Sequence, residues 1–214
     1  MTPSTILLVD DHPIVREGYR RLLDRVPHFR VIAEAADAAE AYKRYRETRP
    51  DLTIMDLSMP GAGGIEAVRH IRQWDRTARI LVVSIHTRPV FVQQAFAAGS
   101  LGYVSKASGP SELLAAAAEV ARGRRWVGQD VARDLALGQL DQGESALADL
   151  SAREFTILRM LIAGSAVDEI AEALHLSPKT VRNHHYAIKA KLGARTDLGL
   201  ALAAARAGID GSDV

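Results

Sequence analysis

The chain has 214 residues, a length that suits two modest domains better than one or three. Hydrophobic residues make up 48% and charged residues 25%, which is typical of a globular protein and excludes a largely disordered chain. The sequence has no cysteine, which excludes disulfides and cysteine-based zinc sites, and its net charge of +1 argues neither for nor against nucleic-acid binding. No stretch approaches the about 20 apolar residues of a membrane span, and the first residues do not form a signal peptide, so we expect a cytoplasmic protein without a membrane partner.

Short apolar runs in the first half of the chain alternate with segments of helical spacing. The runs predict buried strands at Ile6–Val9, Val31–Ala33, Leu52–Met55, Ile80–Val83 and Tyr103–Val104. The spacing predicts helices at Ile14–Leu23, Ala38–Arg46, Gly64–Gln73, Pro89–Ala98 and Ser111–Arg122. Ser111 is the expected N-cap of the last of these helices. The alternation predicts an α/β domain over residues 1–122, with a five-stranded parallel sheet covered by helices on both faces.

The pattern changes after residue 122. Residues 123–147 mix glycine, glutamine and charged residues, and we expect a linker with one short helix, Val131–Leu137. Residues 148–214 contain no strand-like run. Four segments there predict helices: Ala152–Leu161, Val167–Leu174, Pro178–Leu192 and Thr196–Ala207. We therefore expect a second, small, all-helical domain.

Polar side chains follow the predicted strands at the points where the strands end. Asp10 and Asp11 follow the first strand, Asp56 the third and Ser84 the fourth, and Lys106 comes shortly after the fifth. Ligands of open parallel sheets bind beyond the carboxyl ends of the strands, so we expect one shared site. Three crowded carboxylates repel one another, and oxygen-only ligation is what Mg²⁺ prefers. A carboxylate such as Asp56 can attack phosphorus to give an aspartyl phosphate, whose oxygens would face Mg²⁺, Lys106 and Ser84.

Four motifs around these residues resemble the receiver domain of response regulators of the NarL/FixJ subfamily: VDDHPIVREG, IMDLSMPGAGGIEAVRHIR, VVSIHT and GYVSKA. The resemblance covers about residues 5–122. It implies a flavodoxin-like (βα)5 fold and identifies Asp56 as the phosphoacceptor for a sensor histidine kinase.

The same resemblance implies roles for the surrounding residues. The groups that serve Mg²⁺ are Asp10, Asp11, Asp56 and the backbone carbonyl of Ser58. Lys106 contacts the phosphoryl group, and Ser84 forms the conformational switch with Tyr103. His86, two residues after Ser84, lies where the resemblance implies an influence on the lifetime of the phosphoryl group.

The second predicted domain carries a basic segment beside a tight turn. Five basic residues and no acidic residue lie from Lys179 to Arg195. Ser177 and Pro178 predict the start of a helix, because Ser is a good N-cap and Pro is tolerated at the first helical position. A stripe of helical spacing is expected to face the core: Val181, His185, Ile188 and Leu192. A cationic, amide-bearing helix after such a turn is a candidate for the major groove of DNA.

The segments LSAREFTILRMLIAG and DEIAEALHLSPKTVRNHHYAIKAKLGARTDLGLALAAARAGI resemble the LuxR-type helix-turn-helix over about residues 148–209. The resemblance implies a double-stranded DNA operator as partner. The implied base contacts are Arg182, Asn183 and Tyr186. The implied backbone contacts are Lys179, Thr180 and Lys191. Two copies of the active protein would associate as a homodimer through the helix Thr196–Ala207.

Three functions fit the acidic site. In the first, phosphorylation controls transcription, and the unmodified receiver masks the recognition helix Pro178–Leu192 or keeps the protein monomeric. The chain is then a regulator and not an enzyme, apart from the hydrolysis of its own phosphoryl group. The second is a metal-dependent phosphatase with Asp56 as nucleophile, but Ser58 stands where such enzymes carry an acid/base aspartate. In the third, the receiver is never phosphorylated and serves as a docking module, and the attached second domain binds DNA constitutively. The presence of the acidic pair with Ser84 and Lys106 argues against this third function.

Overall fold

The computed structural model describes residues 2–59, 63–140, 146–206 and 209. Strands and helices alternate in the first domain: β1 (Ser4–Val9), α1 (Pro13–Asp24), β2 (Phe29–Ala35), α2 (Ala38–Thr48), β3 (Leu52–Asp56), α3 (Gly63–Trp74), β4 (Ile80–Ser84), α4 (Pro89–Ala98), β5 (Gly102–Ser105) and α5 (Pro110–Ala121). The linker forms β6 (Trp126–Val127) and α6 (Gln129–Leu140). After a short 3-10 helix, Ala146–Asp149, the second domain contains α7 (Ala152–Ile162), α8 (Val167–Ala173), α9 (Pro178–Lys191) and α10 (Asp197–Arg206). Ala207, the predicted end of the last helix, lies outside the described residues.

The sheet is parallel, and its strand order is β2-β1-β3-β4-β5-β6. Successive strand residues enter different cores, because neighbouring side chains of a strand point to opposite faces. Ile6 and Leu8 pack in the core that contains residues of α1 and α5, whereas Leu7 and Val9 pack in the core that contains residues of α2, α3 and α4. The predicted parallel α/β fold is confirmed. The direction in which successive strands are added to the sheet reverses between β1 and β3. Ligands of such sheets bind at this point, so the carboxyl ends of β1 and β3 are the expected binding edge.

The linker is more ordered than the sequence indicates. Trp126 and Val127 add a sixth strand beside β5, with Val127 opposite Tyr103, and the Gly128 N–H donates to the Tyr103 carbonyl at 2.8 Å. The prediction of five strands therefore missed one, because a two-residue strand leaves no readable alternation. The predicted helix Val131–Leu137 is part of the longer α6.

The predicted N-cap of α5 was wrong. The helix has Gly109 as its N-cap and begins at Pro110, one residue before Ser111. The reason is that proline lacks the N–H that would be unsatisfied at the first helical position, and its fixed φ suits that position.

The second domain begins with a reciprocal cap. The Ser151 N–H donates to Glu154 Oε2 at 2.8 Å, and the Glu154 N–H donates to Ser151 Oγ at 3.3 Å. The turn between α8 and α9 places His175 at a φ of 52°, and Ser177 Oγ then accepts a hydrogen bond from the Thr180 N–H at 3.1 Å. The predicted turn, with its serine cap and proline at the first helical position, is confirmed.

The two domains contact each other through α3 and α4 of the first and α7 of the second. Gln94 on α4 donates to the backbone carbonyls of Leu147 at 3.3 Å and Leu150 at 2.8 Å. Glu66 on α3 forms an ion pair with Arg153 on α7 and a second one with Arg69 on its own helix. Among the described helices, none combines the length and apolar character needed to cross a membrane.

Candidate functional site

The predicted acidic residues and Lys106 meet at the carboxyl edge of the sheet. Lys106 Nζ lies 2.8 Å from Asp10 Oδ2 and 2.8 Å from Asp56 Oδ2. Both aspartates are 1% exposed. Since a charge removed from water needs a partner, the ammonium group holds two carboxylates together that would otherwise repel each other.

Burial and pairing act in opposite directions on the ionisation of this site. Burial raises the pKa of Asp56, and the hydrogen bond from Lys106 offsets only part of this effect. Burial lowers the pKa of Lys106, but its hydrogen bonds to Asp10 and Asp56 outweigh this, so that its pKa is raised. Lys106 is therefore the permanent cation of the site.

The carboxylates are close enough to share one metal ion. One ligand atom from each of Asp10, Asp11, His12 and Asp56 lies within 4.8 Å of the others. Three of these residues offer carboxylate oxygens, the hard donors that suit Mg²⁺. His12 Nδ1 lies 2.8 Å from Asp11 Oδ1, so the histidine contacts a carboxylate of the same cluster.

The loop after β3 lies close to the Asp56 carboxylate. The Ser58 N–H donates to Asp56 Oδ1 at 3.1 Å, which places Ser58 beside that carboxylate. A Cβ atom at Gly64 would lie 1.9 Å from the Asp56 carbonyl oxygen. Only glycine allows α3 to begin this close to the end of β3.

The predicted switch residues, Ser84 and Tyr103, converge on His86. Ser84 Oγ accepts a hydrogen bond from the His86 N–H at 3.1 Å, and the Tyr103 hydroxyl donates to the His86 carbonyl at 2.6 Å. Both switch side chains are fully buried, and burial raises the pKa of Tyr103 above its usual range. Tyr103 is therefore a neutral hydrogen-bond donor held inside the domain.

Helix α9, the predicted recognition helix, presents most of its predicted DNA-contacting residues to solvent. Lys179, Arg182 and Asn183 are exposed, and Tyr186 is 72% exposed. Val181 and Ile188 are fully buried, as the predicted core stripe requires, and the other two stripe residues are half-buried. The described part of the first domain leaves the predicted base-contacting face of α9 uncovered, so these residues show no masking of the helix.

Two predicted backbone-contacting residues are engaged within the domain. Thr180 is half-buried, and its Oγ1 lies 2.8 Å from Ser177 Oγ at the helix cap. The Lys191 ammonium donates to Glu154 Oε2 at 2.7 Å and to the Asp149 carbonyl at 3.1 Å. Lys191 therefore joins α9 to the cap of α7, a contact that its position in the sequence does not indicate.

Helix α10 has an apolar face that the described residues leave exposed. Leu198 is 72% and Leu202 is 52% exposed, and the two residues lie one helical turn apart. Asp197 Oδ1, at the start of this helix, lies 2.8 Å from His185 Nε2 and 2.6 Å from Lys189 Nζ. These contacts fix α10 against α9 and leave Leu198 and Leu202 facing outward, whereas Leu200 is buried.

Comparisons with known proteins identify the family of each domain. A family model described as the response regulator receiver domain matches residues 6–118, and one described as bacterial regulatory proteins of the luxR family matches residues 148–204. The chain belongs to the response regulators. Its receiver domain is followed by a LuxR-type DNA-binding domain, which confirms the resemblance that the motifs indicate.

Relatives of similar length share this organisation. The response regulator UvrY of Escherichia coli (strain K12) is 39% identical over 206 residues, 95% of this chain and 94% of the relative. The response regulator GacA of Pseudomonas aeruginosa is 36% identical over 206 residues, 95% of this chain and 96% of the relative.

Solved structures of response regulators are also similar to this chain. A two-component response regulator of the LuxR family from Aurantimonas sp. SI85-9A1 is 55% identical, with a TM-score of 0.63, and the match covers 65% of this chain and 99% of that one. RcsB from Salmonella enterica serovar Typhimurium, bound to promoter rprA in the presence of the phosphomimetic BeF3−, is 26% identical with a TM-score of 0.74. This second match covers 94% of this chain and 98% of that one.

Replacement of Lys106 by methionine should destabilise the first domain in a pH-dependent way. The change leaves two buried carboxylates without their cation, and we expect the free energy of unfolding at pH 7 without divalent ions to fall by about 3 kcal/mol. Since burial already raises the pKa of Asp56, loss of Lys106 should raise it further. A carboxyl whose pKa is higher in the folded than in the unfolded state makes the protein less stable as pH rises. The loss of stability caused by Lys106→Met should therefore be smaller at pH 5 than at pH 7.

Urea unfolding of the full chain at both pH values measures this deficit. Lys43→Met is the matched control, because Lys43 is exposed on α2, and it should change stability little. An equal deficit at both pH values, or one no larger than that of the control, would contradict the role of Lys106.

Proposed function

We propose that phosphorylation of Asp56 by a sensor histidine kinase controls the binding of this response regulator to DNA. The observation that carries the proposal is the 2.8 Å pairing of the Lys106 ammonium with the buried carboxylates of Asp10 and Asp56. A single cation between a nucleophile and its acidic neighbour is suited to receiving a transferred phosphoryl group.

The residues of the site divide the work of phosphoryl transfer. An Asp56 carboxylate oxygen bonds to phosphorus as the bond to the donor nitrogen breaks, and the nitrogen keeps the electron pair. Mg²⁺, when bound, neutralises phosphoryl oxygens; Asp10, Asp11, Asp56 and the backbone carbonyl of Ser58 would hold it. Lys106 then contacts one phosphoryl oxygen, and the Ser84 hydroxyl donates to another.

The site supports a regulator rather than a phosphatase. The Ser58 hydroxyl lies 3.1 Å from His86 Nε2, at the position where an aspartyl phosphatase carries an acid/base carboxylate. The chain then turns over only its own aspartyl phosphate. A degenerate docking module is not favoured either, because the acidic pair and Lys106 lie beside Asp56, and Ser84 ends the neighbouring strand β4.

Double-stranded DNA is the proposed partner of the second domain. RcsB, a relative of known structure, has been solved on promoter DNA and as two dimers bound to two DNAs. The proposed base contacts are Arg182, Asn183 and Tyr186. The proposed backbone contacts are Lys179, Thr180 and Lys191. The exposed Leu198 and Leu202 of α10 support a homodimer. Binding to operator DNA supports a cytoplasmic location.

The first test of this function is the labelling of Asp56. Acetyl phosphate with Mg²⁺ should transfer one phosphoryl group to the wild-type chain, and Asp56→Asn should abolish the transfer, because an amide is not an adequate nucleophile. Incorporation of radiolabelled phosphate measures the reaction. Asp130→Asn, which alters an exposed carboxylate of α6, is the control and should be labelled like the wild type. Undiminished labelling of the Asp56 variant would reject Asp56 as the acceptor.

The second test concerns the recognition helix. Arg182→Ala should weaken binding to an operator selected from random DNA by about 1–3 kcal/mol and relax its sequence preference, because an arginine that reads a base gives both effects. Fluorescence anisotropy against selected and scrambled DNA measures this. Arg133→Ala on α6 removes an equally exposed arginine and should leave both affinities unchanged. Equal losses on both DNAs would assign Arg182 to the phosphate backbone instead.

A further inference from the structure

A continuous series of ring contacts runs from the Asp56 site into the second domain. Ser58 Oγ lies 3.1 Å from His86 Nε2. The His86 ring stacks on Phe91, with centroids 4.3 Å apart and planes 12° apart. Phe91 meets the edge of Phe155 at 5.5 Å and 86°, and Phe155 belongs to α7. We call His86, Phe91 and Phe155 the ring series.

The far end of the ring series is held firmly. Phe91 and Phe155 are both fully buried, in a single apolar cluster that contains residues of both domains. The Arg159 guanidinium, also from α7, lies 5.8 Å from the centre of the Phe91 ring. Its Nη1 would be 3.5 Å from a Cβ atom at Gly63, the first residue of α3. Helix α7 therefore contacts both the ring series and the start of α3.

The near end of the ring series belongs to the phosphorylation site. His86 accepts from the Tyr103 hydroxyl and donates to Ser84 Oγ through its backbone, while its ring contacts Ser58. Ser58 in turn donates to Asp56 Oδ1. The contact between Ser58 and His86 spans the gap between the loops that follow β3 and β4, beside the buried Asp56 carboxylate. A change in the position of the His86 ring would therefore alter access to Asp56.

We propose that Phe155 of the DNA-binding domain is a positioning residue of the phosphorylation site, acting through Phe91 and His86 on Ser58. Docked α7 keeps the Ser58–His86 contact in place and thereby slows hydrolysis of the aspartyl phosphate. In that hydrolysis a water oxygen bonds to phosphorus as the bond to the Asp56 oxygen breaks. The Asp56 carboxylate keeps the electron pair, and inorganic phosphate leaves with both protons of the water. The inference rests on the proposed function, because it concerns the lifetime of a phosphoryl group on Asp56.

Two other contacts between the domains lie away from the site. Gln94 and the ion pair of Glu66 with Arg153 join α4 and α3 to the second domain. Neither contact involves the loops after β3 and β4. Docking of the two domains and positioning of the site can therefore be separated by substitutions on α7.

The test measures the half-life of the aspartyl phosphate on the full chain. The protein is labelled with acetyl phosphate and Mg²⁺, the donor is removed, and the loss of label is followed. Phe155→Leu keeps an apolar side chain but removes the ring, and an aromatic pair is worth enough to shorten the half-life by about 2- to 10-fold. Leu158→Met, a change at a fully buried residue of the same helix, is the matched control and should keep the wild-type half-life.

A double-substitution cycle separates the ring series from general loosening of the fold. Phe91→Leu should shorten the half-life as well, and the chain with both substitutions should lose label no faster than the faster single variant, because both changes break one pathway. Multiplied effects in the double variant would overturn the inference. Equal half-lives of wild type and Phe155→Leu, or an equal shortening by Leu158→Met, would also overturn it. If the wild-type chain takes up no label on Asp56, the proposed function itself fails.

Discussion

The ammonium group of Lys106 is the contact on which the proposed phosphorylation site depends. It neutralises part of a cluster of carboxylates that the sheet topology brings together at the ends of β1 and β3, where they are removed from water. Without this cation, mutual repulsion and desolvation would favour protonation of the carboxylates. With it, Asp56 can remain an anion in a buried position, so the group that stabilises the resting site is also the group that can receive a new negative charge.

In the proposed function, the consequences of that charge would reach the second domain through packed side chains. Phosphorylation adds about −1.5 to −2 charge and strong acceptor oxygens, which draw on the donors around Asp56. Lys106 pairs with Asp56, and Ser84 follows Val83, the β4 residue opposite Asp56. Ser84 and Tyr103 both form hydrogen bonds with the backbone of His86. A buried cluster that contains residues from both domains does not deform continuously, so a local rearrangement has to be accommodated by a change in how the domains pack.

Much of this organisation is readable from the sequence, and the exceptions have physical reasons. Apolar runs that end in polar residues identify the strands and the site, because buried parallel strands lack polar alternation. The contact of Glu66 with Arg153 spans 87 positions, and no local spacing encodes it; Glu66 with Arg69 reads as an ordinary helical pair. Phe155 likewise reads as a core residue of its own domain, and only tertiary packing shows that its ring meets Phe91.

The affinity of the full chain for a selected operator, with and without beryllofluoride and Mg²⁺, tests most directly whether the state of Asp56 governs the second domain. We expect the phosphoryl mimic to change the dissociation constant by about 5-fold or more in the wild-type chain and to leave it unchanged in Asp56→Asn. An affinity that does not respond to the mimic in the wild-type chain, although the mimic is bound, would contradict it.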